Sequence, residues 1–201
     1  MRNLKGLVFL FVLALTPCVF AQTLQQIPAE EIRYDDVRTL NRSEVKVLWD
    51  TLSPKVRQDL WIAHLNAFLR EHPELSDDQR DAVYQGLGLV ASGMFAIDHT
   101  SERWQAEVDN PLRRIFTRAK AVMTPDLVSE AFMRLSDNPH RATNGRLKVT
   151  TNVVDCDCSK METVCEDFGM ECRGNLHTCA TVPSWNCGPF FNWVCDGLCQ
   201  F

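Results

Sequence analysis

Eight of the nine cysteines in this chain fall between Cys156 and Cys199, and that clustering constrains the fold more than any other feature. They stand at Cys156, Cys158, Cys165, Cys172, Cys179, Cys187, Cys195 and Cys199, a Cys-X-Cys opening followed by near-regular gaps. A unit of about fifty residues has too small a core to hold itself together, so it needs cross-links or a metal. Structural zinc wants close ligand pairs such as C-x2-C, and no two of these cysteines have that spacing. An even number in a short segment reads instead as a disulfide framework, for which eight cysteines allow 105 pairings. No metal or other cofactor is expected. Four bridges would each stabilise the unit by roughly 2 to 4 kcal/mol.

Disulfides persist in oxidising compartments, and the N-terminus carries a matching address. Arg2 and Lys5 form a short positive region, Gly6 to Leu15 an apolar run, and Val19-Phe20-Ala21 a small-residue processing site. Residues 1–21 are read as a signal peptide cleaved after Ala21. The run is shorter than the roughly 20 residues of a membrane span. Lipid attachment at Cys18 is disfavoured, because Pro17 stands where a small residue is wanted. The most apolar later stretch, Gly86 to Ile97, is also too short to span. The chain is therefore expected to be secreted, outside the cell or periplasmic in transit. Its net charge of -5 excludes an electrostatic attraction to nucleic acid.

Residues 22–41 show no sustained period and are read as an extended lead-in. Residues 42–137 read as a helical domain of four or five short helices. Val45, Leu48 and Trp49 have helical spacing; Ser53-Pro54 is a cap followed by proline in the first turn. Val56, Leu60, Ala63, His64, Ala67 and Phe68 then form one stripe that ends at His72-Pro73. Ser76 and Gln79 make a capping box for a helix running to about Ser92, weakened by Gly86 and Gly88. A further helix is expected over Glu102 to Ala121, kinked or broken at Asn110-Pro111, and a last one after Thr124-Pro125. Residues 138–150 hold Asp137-Asn138-Pro139 and Thr143-Asn144-Gly145 at or near their start and middle, and are read as an exposed linker with Arg146 and Lys148 as processing sites.

The fold class expected is an all-α helical bundle followed by a small disulfide-rich module, 151–201, with little regular structure. Within the module, Ser159 to Glu162 caps a short helix that Gly169 stops, and Thr181-Val182 with Asn192-Trp193-Val194 are candidate strands of a β-hairpin. Asp155-Cys156-Asp157-Cys158-Ser159, the evenly spaced middle cysteines, Cys187-Gly188, and Trp193-Val194-Cys195-Asp196-Gly197 resemble the bacteriocin fulvocin C-related proteins. The upstream Leu60-Trp61 and Leu75-Ser76-Asp77-Asp78-Gln79 are similar to the region those proteins carry before their cysteines. The resemblance implies a secreted bacterial precursor with a bacteriocin-like, antimicrobial C-terminus and no known catalytic residue.

From Asn152 onward, seven acidic residues face only Lys160 and Arg173, a net charge of -5. Such a module has no charge with which to attack anionic lipid, so its expected partner is an unknown receptor or surface component of a target cell. Trp185, Phe190, Phe191 and Trp193, with Phe201, are the candidate contact surface; the alternative is that they form a core. An enzyme is not expected. The histidines are scattered, no H-E-x-x-H or G-x-S-x-G occurs, and Asp98-His99-Thr100-Ser101 reads as a cap and loop. Two readings remain: a bacteriocin-like precursor that releases its module, and an unprocessed extracellular binding or structural protein. Packing of the two parts over a large apolar area would favour the second.

Overall fold

The computed structural model describes residues 28–136, 171–173, 187–193, 195 and 198–200. They are mostly helical, as the apolar spacing predicts. A 3-10 turn at Ala29–Glu31 precedes α1 (Tyr34–Val37), α2 (Arg42–Thr51), α3 (Pro54–Glu71) and α4 (Asp77–Ala91). A second 3-10 turn, Met94–Ala96, leads to α5 (Glu102–Trp104), which passes through a π-helical turn, Gln105–Asp109, into α6 (Asn110–Val122). The last helix, α7 (Pro125–Val128), runs on into a π turn at Ser129–Met133.

Local chemistry accounts for the helix starts. The hydroxyl of Ser53 accepts the Val56 N–H at 3.4 Å, with Pro54 in the first turn. At α4, the Gln79 N–H donates to Ser76 Oγ at 3.4 Å and the Ser76 N–H to Gln79 Oε1 at 2.9 Å, closing a capping box. Gln79 also donates from Nε2 to the carbonyl of Val122 at 2.8 Å, which ties the start of α4 to the end of α6. Thr124 caps α7 by accepting from the Leu127 N–H. A further capping box, between Asn41 and Glu44, starts α2.

Burial then assembles the helices. Val56, Leu60, Trp61, His64, Leu65, Ala67 and Phe68 give α3 a buried face broader than one stripe, and α4 packs against both α3 and α6. Gly86 is a point of close approach. A Cβ there would lie 2.8 Å from the Phe132 ring and 3.0 Å from the Phe190 ring, so the glycine that weakens α4 is what lets two aromatic rings reach it.

One expectation needs correction, and an alternative left open is narrowed. From Pro28 on, the lead-in is not extended: Ile32, Val37 and Leu40 are buried in the main core around the four-residue α1. An element that short cannot display a period, which is why the pattern was silent. At Asn110-Pro111 the helix is not broken, since Asn110 keeps helical angles (φ -63°, ψ -47°) and its N–H reaches back five residues to Gln105 O. The wider π turn accommodates the proline ring that a regular turn would exclude.

In the C-terminal part, Glu171–Arg173 and Leu198–Gln200 form a short antiparallel pair, with Cys172 opposite Cys199. The linker 138–150, the short helix expected after Ser159 and the strand candidate Thr181-Val182 lie outside the described residues. Around Trp193 the chain bends through a 3-10 turn, Pro189–Phe191, and Cys187 pairs with Trp193 across it.

Candidate functional site

Cys187 and Cys195 are joined by a disulfide, which closes the loop Cys-Gly-Pro-Phe-Phe-Asn-Trp-Val-Cys. Inside the ring, the Cys187 N–H donates to Trp193 O at 3.0 Å and the Trp193 N–H to Cys187 O at 2.8 Å. Gly188 has φ +69°, and a Cβ on it would meet the Trp193 ring at 2.5 Å. No other residue fits there. Phe190 and Phe191 follow at φ 56° and 55°, a left-handed conformation that bulky side chains rarely adopt. Each such residue costs on the order of 1 to 3 kcal/mol unless its surroundings hold it.

The surroundings do hold it, and they belong to the helical domain. Phe190 is fully buried, its ring edge-on to Trp61 of α3 at 5.0 Å and to Phe132 at 5.6 Å. Phe191, 4% exposed, meets Trp49 of α2 at 5.1 Å and Trp61 at 5.3 Å. Trp193, 2% exposed, sits edge-on to Phe116 of α6. These three therefore share one core with α2 to α7. They form no exposed aromatic rim. Burying a side chain of this size stabilises by about 1.5 to 3 kcal/mol, enough to offset the strained backbone that places it.

Polar contacts fix the register of the loop. The Trp193 indole donates from Nε1 to Asp109 Oδ1 at 3.1 Å, and Arg113 donates from Nε to Asp109 Oδ2 at 2.9 Å while its guanidinium lies over the Trp193 ring. The π turn before α6 delivers Asp109 to this buried position. His99 donates from Nε2 to Asn192 Oδ1 at 3.2 Å. Burial pushes the His99 pKa down, helped by the charge of Arg57, against smaller upward pulls from Asn192 and Asp98. Lys46 of α2 is 4% exposed and points its Nζ at both sulfurs, 3.5 Å from Cys187 Sγ and 3.7 Å from Cys195 Sγ.

The Asp98-His99-Thr100-Ser101 run divides its work. Asp98 Oδ1 accepts from the Thr100 N–H and hydroxyl, and Ser101 Oγ accepts from the Trp104 N–H to cap α5, while His99 turns to the loop. A second feature is a pocket of about 260 Å³ between α1, α3 and the turn after α7, lined by Tyr34, Arg38, His64, Phe68, Glu71, Glu130, Arg134 and Ser136. Its centre is a relay in which the Tyr34 hydroxyl donates to His64 Nδ1 at 2.9 Å and His64 Nε2 donates to the Glu130 carbonyl at 2.8 Å. Arg38 pairs with Glu71 across it at 3.5 Å, so opposite charges line the same space.

Of the cysteines, Cys187 and Cys195 are brought together; Cys156, Cys158, Cys165 and Cys179 lie outside the described residues, as do Trp185, Arg146 and Lys148. Lys46, Asp109 and Asn192 carry the loop's polar contacts; the sequence singled out neither Lys46 nor Asp109, and Asn192 only as part of a candidate strand. A lysine or aspartate on a helix gives no local sign that it faces inward, because its partner lies 141 residues away for Lys46 and 84 for Asp109.

The fold and the site together define a helical domain that takes a disulfide-closed aromatic loop from its own C-terminus into its core. No protein-family model matches the chain, and no curated protein or solved structure does. Among the described residues, no helix is long and apolar enough to cross a membrane.

Proposed function

We propose that the protein works outside the cell as one uncleaved unit, a binding or structural protein whose Cys187–Cys195 loop is built into its helical domain. The observation that carries this reading is the burial of Phe190, Phe191 and Trp193 among α2, α3 and α6. A peptide made to be shed would keep its apolar side chains for its own core or its target, whereas these three lean on the helices. Export is supported by the signal-like residues 1–21 and the cysteine clustering. The module's net charge of -5 from Asn152 onward favours a neutral or cationic surface component as partner over anionic lipid.

A second reading is the bacteriocin-like precursor, supported by the cysteine spacing that resembles fulvocin C-related proteins. The masked aromatic side chains favour it in one respect: they would make the intact chain its latent form. The two readings separate by intact mass measurement on protein recovered from the medium of its native host. A chain running from Gln22 to Phe201 supports the uncleaved unit. A fragment beginning between Arg146 and Asp155 sinks it and establishes release.

A further inference from the structure

We infer that the pocket between α1, α3 and the turn after α7 is a binding site for a carboxylate, gripped by the guanidinium of Arg134. The site is separate from the Cys187–Cys195 loop, since the residues lining it run from Tyr34 to Ser136. An unmet donor carries the inference. Arg134 lines the pocket, its Nε is sealed from solvent, and among the described residues that Nε has no hydrogen-bond partner. A buried donor left without an acceptor bears its full desolvation cost, the more so when it is charged. An acceptor brought into the pocket removes that cost.

The neighbouring charges decide what kind of acceptor fits. Arg38 already pairs with Glu71 at 3.5 Å, and Glu130 directs its carboxylate to His72 Nε2 at 3.0 Å. Tyr34 and His64 are engaged with each other in the relay that ends on the Glu130 carbonyl. Arg134 remains, a cation that no carboxylate pairs with among the described residues. The ligand that balances it is an anion. The Nε–H of a guanidinium and a terminal N–H beside it form a planar fork that matches the two oxygens of a carboxylate. One unpaired arginine also matches a single negative charge, which favours a carboxylate over a phosphate dianion.

The backbone builds the site around the second π turn. Arg134 directly follows Ser129–Met133, where the chain leaves the helix for an extended conformation (φ -133°, ψ 136°). Such turns are frequent at functional sites. Here the turn serves two walls, because the Glu130 carbonyl within it fixes His64 and the residue after it supplies the guanidinium. Ser136 brings a hydroxyl to the same space and Phe68 an aromatic ring. With a volume of about 260 Å³, the pocket is smaller than the roughly 300 to 1,000 Å³ that hold drug-sized ligands. It therefore takes a small acid or the carboxyl end of a longer chain.

The test follows the proton–nitrogen NMR signal of the Arg134 Nε–H in the full chain as probes are added, with affinities measured by calorimetry. Benzoate represents a free acid, and a glycine-glycine-phenylalanine tripeptide a chain end; benzamide and the C-terminally amidated tripeptide are their neutral copies. The expected result is a saturating shift of that signal by one of the two carboxylates with a Kd of about 1 mM or tighter, and none by the neutral copies. Tighter binding of benzoate assigns the site to a free acid, and tighter binding of the tripeptide to a chain end. Arg134→Lys, which keeps the charge without the fork, is expected to lose at least tenfold in affinity. Arg103→Met removes an exposed cation of α5 and should leave affinity unchanged. Neutral copies that bind as well, inorganic phosphate that binds more tightly, or an unchanged affinity in Arg134→Lys would overturn the proposal. So would the absence of any shift from either carboxylate up to about 10 mM. The comparison of charged and neutral probes uses the unaltered chain, so it decides the matter even where a variant fails to fold.

Discussion

Gly86 and Gly88 sit one turn-half apart on α4 and offer a paired test of whether the C-terminal loop is truly part of the helical core. In an exposed helix interior, glycine to alanine stabilises by roughly 1 kcal/mol, and Gly88→Ala has open space around its new Cβ. It is expected to gain that amount. Gly86→Ala gains the same propensity term but drives a methyl against the Phe132 and Phe190 rings at 2.8 and 3.0 Å. Overpacking of that kind costs typically 1 to 3 kcal/mol. Since the propensity term is common to both, the difference between the two variants isolates the overpacking, about 1 to 3 kcal/mol in favour of Gly88→Ala. With a urea m-value of about 2 kcal/mol/M, the midpoints should differ by about 1 M. The assay is equilibrium urea denaturation of the oxidised protein followed by tryptophan fluorescence. Pairing Gly86→Ala with Phe190→Leu should recover part of the loss, because the two sites touch. If Gly86→Ala matches Gly88→Ala in stability, Phe132 and Phe190 do not press on α4 and the packing argument fails.

Other outcomes follow from the same contacts. Trp193→Phe keeps an aromatic side chain but removes the indole donor to buried Asp109, and is expected to cost about 1 to 3 kcal/mol in the same denaturation assay. Ser76→Ala removes the cap of α4 and should cost about 1 kcal/mol, with its largest effect on hydrogen exchange in the first turn. The pKa of His72 is raised: burial alone would lower it, but its hydrogen bonds to Glu130 and Glu74, reinforced by their charge, win. That pair's stabilisation is complete below the unfolded value of about 6.5 and is lost as pH rises through the folded value, so His72→Gln should flatten the decline of the urea midpoint above pH 6.5. His99, whose pKa burial lowers, works with the opposite sign: its contribution is complete above about 6.5 and falls away toward acid, a slope that His99→Gln should remove.

Much of the helical domain was legible because its signals are local. Ser53-Pro54, Ser76 with Gln79, and Thr124-Pro125 each announce a helix within four residues of their own position, and the structure starts α3, α4 and α7 there. The π turns were not legible, since nothing in Gln105–Asp109 or Ser129–Met133 departs from ordinary helical composition. Gly86 was read as a propensity cost; its purpose emerges only when Phe132 and Phe190, 46 and 104 positions later, arrive against it. The aromatic residues of the loop posed the same difficulty. Surface or core are equally good readings of Phe190-Phe191-Asn192-Trp193 until the helices that receive them are in place.

The order in which the chain is made gives the loop a last consequence. Residues 28–136 emerge first, yet the space between Trp49, Trp61, Phe132 and Phe116 is filled by side chains from 190–193, more than fifty positions later. Domains generally begin to fold as they are synthesised, N-terminal parts first. Here the helices reach their final packing only once residues 187–195 are available and Cys187 has met Cys195. The packing of the helices is thereby timed by a loop that is not one of them.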